Sequence, residues 1–358
     1  MWKNGKVSEA VLDRSVLRPL AMAGVLSGMG GAFGEDCAFV DHQNGAEEGE
    51  IPGRIVSATV CGTVGGTYDR TMGMMVLGAA NNLAASGAEM NGIMLDILIP
   101  ETWDEQSLKA LMQEAAKICS AYQIPVGGGH TEISEAVSRP VVCVTGFGTV
   151  FECTYLRTED LKPNQDLVMS GWIGLAGTAI LARNMKQELA KRYPPVLIDT
   201  AKEFETALSV LEPARIGCTL GVSAMHDVSQ GGVFGALWEM SERAGVGLHV
   251  ELKKIPVRQE TIEICNYFDI NPYQMYGQGA LLFGTDRGEA LVTKLRSKGI
   301  PAAVIARTTQ GNDRVIRNGS EIRFLDRPAQ DALWALKKGK GDSVGYEGTD
   351  FNLSGKKQ

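Results

Sequence analysis

The 358-residue sequence lacks several features that define well-known functional classes. It has no block of Lys and Arg residues, and its formal net charge is −7, so it is poorly suited to neutralising a nucleic-acid backbone. It has no apolar run of about 18 residues, and its first ten residues contain no apolar signal core. We therefore expect no nucleic-acid partner and no membrane partner, and a soluble, cytoplasmic protein.

The cysteines also lack a recognisable pattern, because no two of them form a Cys-x-x-Cys pair. They are odd in number and scattered, and several lie in apolar segments. We expect them to be buried free thiols in a reducing compartment. The seven residues are Cys37, Cys61, Cys119, Cys143, Cys153, Cys218 and Cys265.

Glycine, by contrast, is abundant at 43 residues, and three glycines in a row precede His130, one of only four histidines. Consecutive glycines let the backbone approach a ligand closely and turn its N–H groups toward an anion. Three other glycine-punctuated stretches contain Asp36, Asn82 and Asp227. A tight turn is the alternative interpretation of each stretch by itself. Together they predict one polyanion site assembled from several loops.

Hydrophobic periodicity and capping residues predict a first unit with the order β-β-α-β-α-β after an N-terminal helix. This order is typical of an α+β unit and differs from a Rossmann alternation. The predicted helices are residues 8–26, 72–87 and 104–122, the predicted strands are residues 36–40, 55–61, 92–99 and 140–151, and a loop begins at Val126.

A second, α/β unit follows, and the chain length also favours two domains. We place the domains at residues 1–155 and 156–337, followed by a tail at 338–358 that lacks apolar periodicity and is expected to be flexible. The predicted strands of the second unit are residues 167–170, 217–227, 247–252, 280–284 and 302–306. One predicted helix follows Gly177 and ends at residue 183, and the other predicted helices are residues 203–211, 232–244 and 288–298.

One glycine pattern in the second unit, Gly171-x-x-Gly174-x-x-Gly177, follows a predicted strand and opens a helix. Such a loop could bind phosphate at the helix N-terminus. It is not G-x-G-x-x-G, and it has neither a Walker lysine nor a following acidic residue in the Rossmann place, so both nucleotide fingerprints fail. Backbone packing is an equally weighted alternative.

Five motifs in order carry a family resemblance. G-E-D-C-A at residues 34–38 is similar to the motif G-D-D-A-A, and N-N-L-A-A-S-G-A at 81–88 is similar to N-D-L-A-x-x-G-A. G-G-H-T at 128–131 resembles G-G-D-T. The segment 169–181 resembles T-G-x-I-G-x-x-G-x-A-x-L, and H-D-V-S-Q-G-G at 226–232 resembles D-x-T/S-x-G-G. The chain resembles the superfamily of aminoimidazole ribonucleotide synthetase, thiamine-monophosphate kinase, selenophosphate synthetase and HypE.

The resemblance covers about residues 5–330 and implies a two-domain PurM-like fold. It implies a mixed N-terminal sheet that pairs with its copy in a homodimer to form a barrel-like core, and a C-terminal α/β domain. It also implies ATP and Mg²⁺ in the cleft, and phosphoryl transfer that activates an oxygen nucleophile of a small substrate.

The resemblance also assigns site residues. Asp36, His130, His226 and Asp227 become catalytic candidates, and Asp36 and Asp227 become Mg²⁺ ligands, since Mg²⁺ prefers hard oxygen ligands. The implied nucleotide-binding residues are Glu35, Asn82, Gly128, Gly129, Thr131, Gly171, Gly174, Gly177, Gly231 and Gly232.

The sequence departs from the family pattern in three carboxylates. Asn82 replaces the aspartate of N-D-L, and His130 replaces the aspartate of G-G-D. The aspartate of the family's early T-T-D motif is also lost, with Val60 or Cys61 near its place. Each replacement removes a negative charge that would hold Mg²⁺. His130 could donate to a phosphate oxygen, or it could be a turn residue; it would be a poor Mg²⁺ ligand. His226 could belong to the site or be a structural histidine.

Three further acidic residues, Asp69, Asp96 and Glu132, have no assigned role. Asp96 lies within an apolar strand, which predicts a buried carboxylate that needs a partner. Glu132 is expected to be solvated more often than functional.

Two segments, at residues 5–12 and 245–257, favour the HypE branch. The final residues, 352–358, contain no cysteine, so we expect a HypE-like paralogue that does not dehydrate a carbamoyl group on its own tail. The leading hypothesis is an ATP-dependent phosphotransferase, or an enzyme of the ligase or dehydratase type. The alternatives are a catalytically depleted nucleotide-binding or assembly protein and a thiamine-monophosphate-kinase-like phosphotransferase.

Overall fold

A computed structural model describes residues 8–23, 33–40, 54–150 and 155–336. No helix within these ranges is long and apolar enough to cross a membrane. The predictions for residues 24–26 of the first helix, for the end of the strand at 151 and for the tail at 338–358 lie outside the described residues.

The N-terminal helix predicted from residue 8 is confirmed as three successive helical segments. They are α1 (Glu9–Leu12), a wider π-helical turn (Asp13–Leu17) and α2 (Arg18–Met22). Ser8 occupies the N-cap position with an extended backbone, but its side chain makes no capping hydrogen bond.

The first domain is a mixed five-stranded sheet with the order β1-β2-β5-β3-β4. Strands β3 and β4 are parallel, and the other neighbouring strands are antiparallel. The strands are β1 (Ala38–Val40), β2 (Arg54–Thr63), β3 (Glu89–Ile99), β4 (Val126–Ile133) and β5 (Val141–Val150), and the helices are α3 (Met72–Ala85) and α4 (Glu105–Tyr122). The mixed N-terminal sheet is therefore confirmed.

The period-two alternation of β5 buries one face of this sheet and leaves the other open. Val142 and Val144 are fully buried against helix α3, which is itself buried along nearly its whole length. Thr71 is the N-cap of this helix, and its hydroxyl accepts the N–H of Met74. Gly146 allows β5 to lie close to α3, since a Cβ added at Gly146 would lie 3.0 Å from Leu83 Cδ1.

The prediction that a loop begins at Val126 is wrong, because Val126–Ile133 form β4, an edge strand parallel to β3. All eight of its residues are exposed. The glycines conceal the strand in the sequence, since they supply no alternation of apolar side chains. They are also required by the close pairing, because a Cβ at Gly129 would lie 1.8 Å from the Leu95 carbonyl oxygen.

The second domain is built on a seven-stranded sheet with the order β12-β11-β8-β10-β6-β9-β7. Strands β8 and β11 are parallel, and the other neighbouring strands are antiparallel. The strands are β6 (Asp166–Ser170), β7 (Ala224–Asp227), β8 (Gly247–Glu251), β9 (Leu281–Thr285), β10 (Ala302–Thr309), β11 (Arg314–Asn318) and β12 (Glu321–Phe324).

Helices pack around this sheet, and the sequence analysis predicted three of them with nearly correct bounds. The helices are α5 (Leu175–Asn184), α6 (Lys186–Leu189), α7 (Pro195–Glu203), α8 (Leu211–Thr219), α9 (Gly232–Ala244), α10 (Gln259–Phe268), α11 (Gly288–Ser297) and α12 (Ala332–Ala335). The predictions for α5, α9 and α11 are confirmed within a few residues. Helices α6, α7, α10 and α12 and strands β11 and β12 had no sequence prediction.

Two predictions between α7 and β7 are wrong. The segment 203–211 is mainly a 3₁₀ turn (Phe204–Ala207) between α7 and α8, and not a helix. The predicted strand 217–227 is a helix end, a turn and a four-residue strand. Gly217 lies in α8 and packs against the Phe283 ring. A Cβ added at Gly217 would lie 2.7 Å from Phe283 Cε1. The secondary structure of these two segments depends on how they pack against the sheet, which the local sequence does not encode.

Helix α3 joins the two domains. Asn81 on this helix donates to the Leu208 carbonyl at 2.8 Å and accepts the Val210 N–H at 3.0 Å. Gln278 donates to the Met74 carbonyl at 2.9 Å. These buried contacts, together with a common apolar cluster, fix the second domain against the first.

Candidate functional site

The two predicted metal-binding carboxylates, Asp36 and Asp227, lie side by side between the domains. Asp36 follows Gly34, whose φ of +80° turns the chain into β1, and Asp227 ends β7. The Asp227 N–H donates to Asp36 Oδ2 at 3.0 Å, although 191 residues separate them. Asp227 is 5% exposed, and the Asp36 side chain is 12% exposed.

His226 lies between two carboxylates behind this pair. Its Nδ1 is 3.2 Å from Asp36 Oδ1, and its Nε2 is 3.3 Å from Glu239 Oε2. Burial by itself would lower the pKa of His226, but the negative charges of Asp36 and Glu239 outweigh burial and raise this pKa well above its ordinary value. The imidazolium therefore balances negative charge next to Asp36.

Asp227 is held by two neutral donors. In the amide orientation that matches donors with acceptors, Asn82 Nδ2 donates to Asp227 Oδ2 and to the Gly78 carbonyl, both at 3.3 Å. The Ser229 hydroxyl donates to Asp227 Oδ1 at 3.4 Å. Cys37 completes the neighbourhood by donating to the Asn82 carbonyl at 3.1 Å. Burial, with the nearby Asp36 charge, raises the pKa of the Cys37 thiol well above its ordinary value.

A second charged group lies beside the glycine loop before α9. Asp331 accepts the N–H groups of Gly231 at 2.6 Å, Tyr276 at 3.1 Å and Leu333 at 2.9 Å. Burial raises the pKa of Asp331 to about 6, and these hydrogen bonds oppose the shift. The Asp331 carboxylate therefore accepts the Gly231 N–H, which the sequence analysis had assigned to nucleotide binding.

Arg70 connects this group to the first sheet. Its guanidinium donates to the Cys61 carbonyl at 2.6 Å and lies 5.8 Å from the Tyr276 ring centre and 5.9 Å from that of Trp334. Arg70 is 7% exposed. A buried guanidinium beside two aromatic rings that contact each other couples the end of β2 to the segment that contains Asp331.

Glu35 forms contacts within the protein on the side away from Asp36. It accepts the N–H groups of Thr158 at 3.1 Å and Glu159 at 3.2 Å, and the Arg243 guanidinium at 2.8 Å. These bonds tie the first domain to a short helical turn and to α9.

Five of the predicted phosphate-binding glycines lie in the second domain, and the environments of four of them, Gly171, Gly174, Gly177 and Gly232, favour packing. A Cβ at Gly171 would lie 2.3 Å from the Gly279 carbonyl oxygen, and one at Gly177 would lie 2.6 Å from Met275 Cγ. At the start of α5, the Gly177 N–H already donates to the Tyr276 carbonyl at 3.1 Å. Gly174 and Gly232 have positive φ and similarly close neighbours.

The G-G-H-T segment lies away from the carboxylates. It is in β4, at the opposite edge of the five-stranded sheet from β1, so one copy does not bring Gly128, Gly129, His130 and Thr131 together with Asp36. The His130 side chain is 67% exposed, and its Nε2 lies 3.1 Å from Glu132 Oε2.

Two unassigned aspartates have clear environments. Asp96 is exposed on the open face of β3, so its predicted burial is wrong; the side chain points away from the core on the alternating strand. Asp69 is buried and structural, because it accepts the Thr63 hydroxyl at 2.8 Å and pairs with Arg139 at 2.7 Å.

The expectation of free thiols throughout is also wrong. Cys61 on β2 and Cys143 on β5 form a disulfide, with their Cα atoms 4.1 Å apart. Strand register places them directly opposite each other, although 82 residues separate them in sequence. Among the described residues, Cys37, Cys119, Cys218 and Cys265 are free.

The described ranges contain no group of three or more His, Cys, Asp or Glu residues arranged to hold a metal ion. The Asp36–Asp227 pair is therefore the metal-binding candidate that remains, and it would need ligands from outside the protein.

Sequence reasoning missed Glu239, Asp331, Arg70 and Tyr276. Asp331 carries a weak signal, since it precedes the apolar A-L-W run as a helix N-cap would. Nothing local marks the other three residues, because their partners lie far away in the sequence.

Comparisons with known proteins agree with this architecture. The N-terminal domain of AIR synthase related protein matches residues 54–150, and the C-terminal domain of AIR synthase related protein matches residues 162–318. The chain belongs to the AIR synthase related protein family and has the PurM-like two-domain fold.

Within this family, the chain is similar to HypE proteins. It is 24% identical over 289 residues to the carbamoyl dehydratase HypE of Azotobacter vinelandii, covering 78% of this chain and 82% of that protein. It superposes on HypE from the crystal structure of a HypE–HypF complex with a TM-score of 0.71 and 21% identity, covering 88% of this chain and 100% of that one.

Two nucleotide complexes have the same fold. HypE in complex with ATP superposes with a TM-score of 0.67 and 18% identity, covering 92% of this chain and 97% of that one. AaThiL complexed with AMPPCP and TMP superposes with a TM-score of 0.66 and 15% identity, covering 89% and 98%.

Proposed function

We propose that this chain binds ATP with Mg²⁺ at Asp36 and Asp227 and activates an oxygen nucleophile of a small substrate by phosphoryl transfer. The observation that carries the proposal is the direct contact of these residues, with the Asp227 N–H 3.0 Å from Asp36 Oδ2. Two motifs far apart in sequence thereby present two carboxylates at one place. Complexes of similar folds with ATP and with AMPPCP support a nucleotide as the ligand.

The donor set fits Mg²⁺. In nucleotide sites this ion is commonly held by one or two carboxylates together with phosphate oxygens and water. Asp36 and Asp227 would hold the ion, and both retain oxygen lone pairs beyond the hydrogen bonds they accept. When bound, Mg²⁺ supplies charge neutralisation of the phosphates.

The residues around the pair would set its geometry. The His226 imidazolium orients Asp36, while Asn82 and Ser229 orient Asp227. Phosphoryl transfer needs positioning and electrostatic stabilisation more than covalent chemistry by the protein. Two buried carboxylates, joined through the Asp227 backbone N–H and each held by neighbouring side chains, provide this positioning.

Calorimetric titration with ATP, with and without Mg²⁺, tests the binding step. Asp36→Asn and Asp227→Asn should each weaken Mg²⁺–ATP binding about tenfold or more, equivalent to about 1.4 kcal/mol. The exposed Asp286→Asn variant, which has the same charge change, should keep the wild-type Kd. Wild-type Kd values for both site variants would refute the proposed site.

A second candidate is nucleotide binding without turnover, in an assembly role. It is favoured by Asn82 and His130, which stand where the family motifs have carboxylates, and by the solved HypE–HypF complex. Assays of ADP formation with candidate small acceptors, thiamine monophosphate among them, separate the candidates. Tight Mg²⁺–ATP binding with no ADP formed would favour the assembly role, and phosphorylated thiamine monophosphate would favour a kinase.

We further propose that two copies pair through the open face of the first sheet and β4. Exposed apolar side chains on these strands support this: Ile55 is 46% exposed, Val126 48% and Ile133 66%. Sedimentation at low micromolar concentration should show a dimer, and Ile55→Asp should shift it toward monomer. A monomeric wild-type protein would contradict the pairing.

The remaining assignments are proposals. We propose domain limits at 155/156 and 337/338, which limited proteolysis would test by cleavage near these positions. We also propose a cytoplasmic location, in keeping with ATP and Mg²⁺ as ligands, which cell fractionation would test.

A further inference from the structure

Strand β12 is the outermost strand of the seven-stranded sheet, and within the described residues no strand lies on its other side. All four of its residues are exposed. Ile322 is 64% exposed and Phe324 is 66% exposed, and both lie on the same face as Val315, the cross-strand partner of Phe324. An edge strand with large exposed apolar side chains is a template for pairing with another strand.

The direction of the backbone groups on β12 shows which residues are available at the free edge. The Leu325 N–H donates to the Arg314 carbonyl at 2.8 Å, so these two residues form a hydrogen-bonded pair of the antiparallel ladder. Such pairs alternate along a strand. The odd-numbered residues of β12 therefore direct their N–H and C=O groups toward β11, whereas Ile322 and Phe324 direct theirs toward the free edge.

The hairpin that carries this edge is already ordered by its own fold. Gly319, with φ = +65°, forms the tight turn between β11 and β12. Ile316 on β11 is 1% exposed, and Leu325, directly after β12, is 4% exposed, so the core anchors both strands. Because the edge is ordered in advance, pairing with it costs little additional conformational entropy.

The charged side chains of β12 have no ion-pair partner within the part of the chain that the structure describes. Glu321 accepts the Asn318 side-chain amide at 3.4 Å, and the Arg323 guanidinium lies 5.5 Å from the Phe234 ring centre. Glu321 and Arg323 are two residues apart, so they share the face opposite to Ile322. A strand with the complementary charges at this spacing would match β12, and β12 itself has them.

We propose that β12 pairs antiparallel with β12 of a second copy and joins the two seven-stranded sheets edge to edge. With Ile322 opposite the second copy's Ile322, each Glu321 lies opposite the other copy's Arg323. Residues opposed at such positions, which are not hydrogen-bonded to each other, have Cα atoms about 4.5 Å apart, so their side chains can form ion pairs. Phe324 lies diagonally across from the second copy's Ile322, so the pairing also covers exposed apolar side chains.

Charge selects this register over its neighbours. A shift by one residue would set the outward-directed backbone groups of one copy against inward-directed groups of the other. A shift by two residues in one direction would place Glu321 opposite Glu321, and in the other direction it would place Arg323 opposite Arg323. Like charges directly opposite each other are destabilising. The strand is therefore complementary to itself in one register.

Sedimentation velocity of the full-length Ile55→Asp variant isolates this contact, because Ile55 lies on β2 in the first domain, away from β12. This variant should be monomeric at low micromolar concentration and dimeric at hundreds of micromolar. Glu321→Arg and Arg323→Glu, each added to it, should weaken the dimer about tenfold or more, because each opposes like charges. The exposed Arg215→Glu on α8, with the same charge change as Arg323→Glu, should leave the dimer unchanged. If Ile55→Asp stays dimeric at low concentration, the same comparison is made between dimer and tetramer.

An exchange of charges gives the sharpest outcome. Glu321→Arg and Arg323→Glu combined in one chain should restore the pairing, and so should an equimolar mixture of the two single variants. Amide hydrogen exchange at Ile322 and Phe324 should slow about tenfold as concentration rises. No association beyond that of the charge-reversed variants at any concentration, or no recovery in the charge-exchanged chain, would overturn the proposal. Protection of these amides that is independent of concentration would show that a segment of the same chain covers the edge, and would also overturn it.

Discussion

Asn82 donates its side-chain amide to Asp227 Oδ2 at 3.3 Å, so a neutral donor contacts a carboxylate where the family motif has a second acid. This contact replaces like-charge repulsion with a hydrogen bond. It also removes one hard oxygen ligand from the neighbourhood of the proposed Mg²⁺.

Asn82→Asp should therefore make the protein less stable without Mg²⁺ and make its stability depend more strongly on Mg²⁺. Without Mg²⁺, the added charge beside Asp227 should lower the free energy of unfolding by about 1–3 kcal/mol, because it replaces a donor with a like charge. Mg²⁺ should then raise the melting temperature of this variant more than that of wild type. Thermal scans over a Mg²⁺ series measure both effects, with the exposed Asn312→Asp as control. The same Mg²⁺ response in wild type and Asn82→Asp would argue against a metal at this place.

Gly171→Ala distinguishes packing from phosphate binding. Gly171 has φ = +77°, and an added Cβ would lie 2.3 Å from a backbone oxygen, so the substitution should cost about 2–4 kcal/mol of stability. Gly221→Ala, with φ = +65° and no atom within 4 Å, should cost only about 1–2 kcal/mol. Urea unfolding gives these values. The ATP Kd of folded Gly171→Ala should equal that of wild type, and a large loss of affinity would restore the phosphate-binding interpretation.

Arg70→Met should weaken the connection between the domains. It leaves the Cys61 carbonyl without its 2.6 Å donor and removes the cation that lies beside the Tyr276 and Trp334 rings. We expect a loss of about 2–4 kcal/mol in the free energy of unfolding. Arg307→Met removes a surface ion pair with Asp166 and should cost at most about 1 kcal/mol. Equal costs for the two variants in urea unfolding would contradict the buried role of Arg70.

Asp331 should make stability depend on pH in an identifiable direction. Its folded pKa, about 6, is raised from the ordinary value of 3.8, so the native state binds this proton more tightly than the unfolded state does. The associated stability is complete below pH 3.8 and is lost as pH rises through about 6. The stability of wild type relative to Asp331→Asn should thus fall between about pH 4 and 7, by about 1.4 kcal/mol per unit of pKa shift. A constant difference across this range would show that Asp331 has no raised pKa.

The sequence by itself determined the family, the two-domain fold and much of the core. Alternation in β5 and helical periodicity in α4 and α9 were readable because each of these elements buries one face against the core. The motifs containing Asp36 and Asp227 also identified two residues that the fold brings into direct contact.

Tertiary structure decided the rest, because the deciding contacts join residues far apart in sequence. The glycine-rich segment before His130 became an exposed edge strand only through pairing with β3. The Cys61–Cys143 bond depends on the register of β2 with β5. Asp331 reaches Gly231 across 100 residues, and no local pattern reports that a buried carboxylate will occupy that backbone amide.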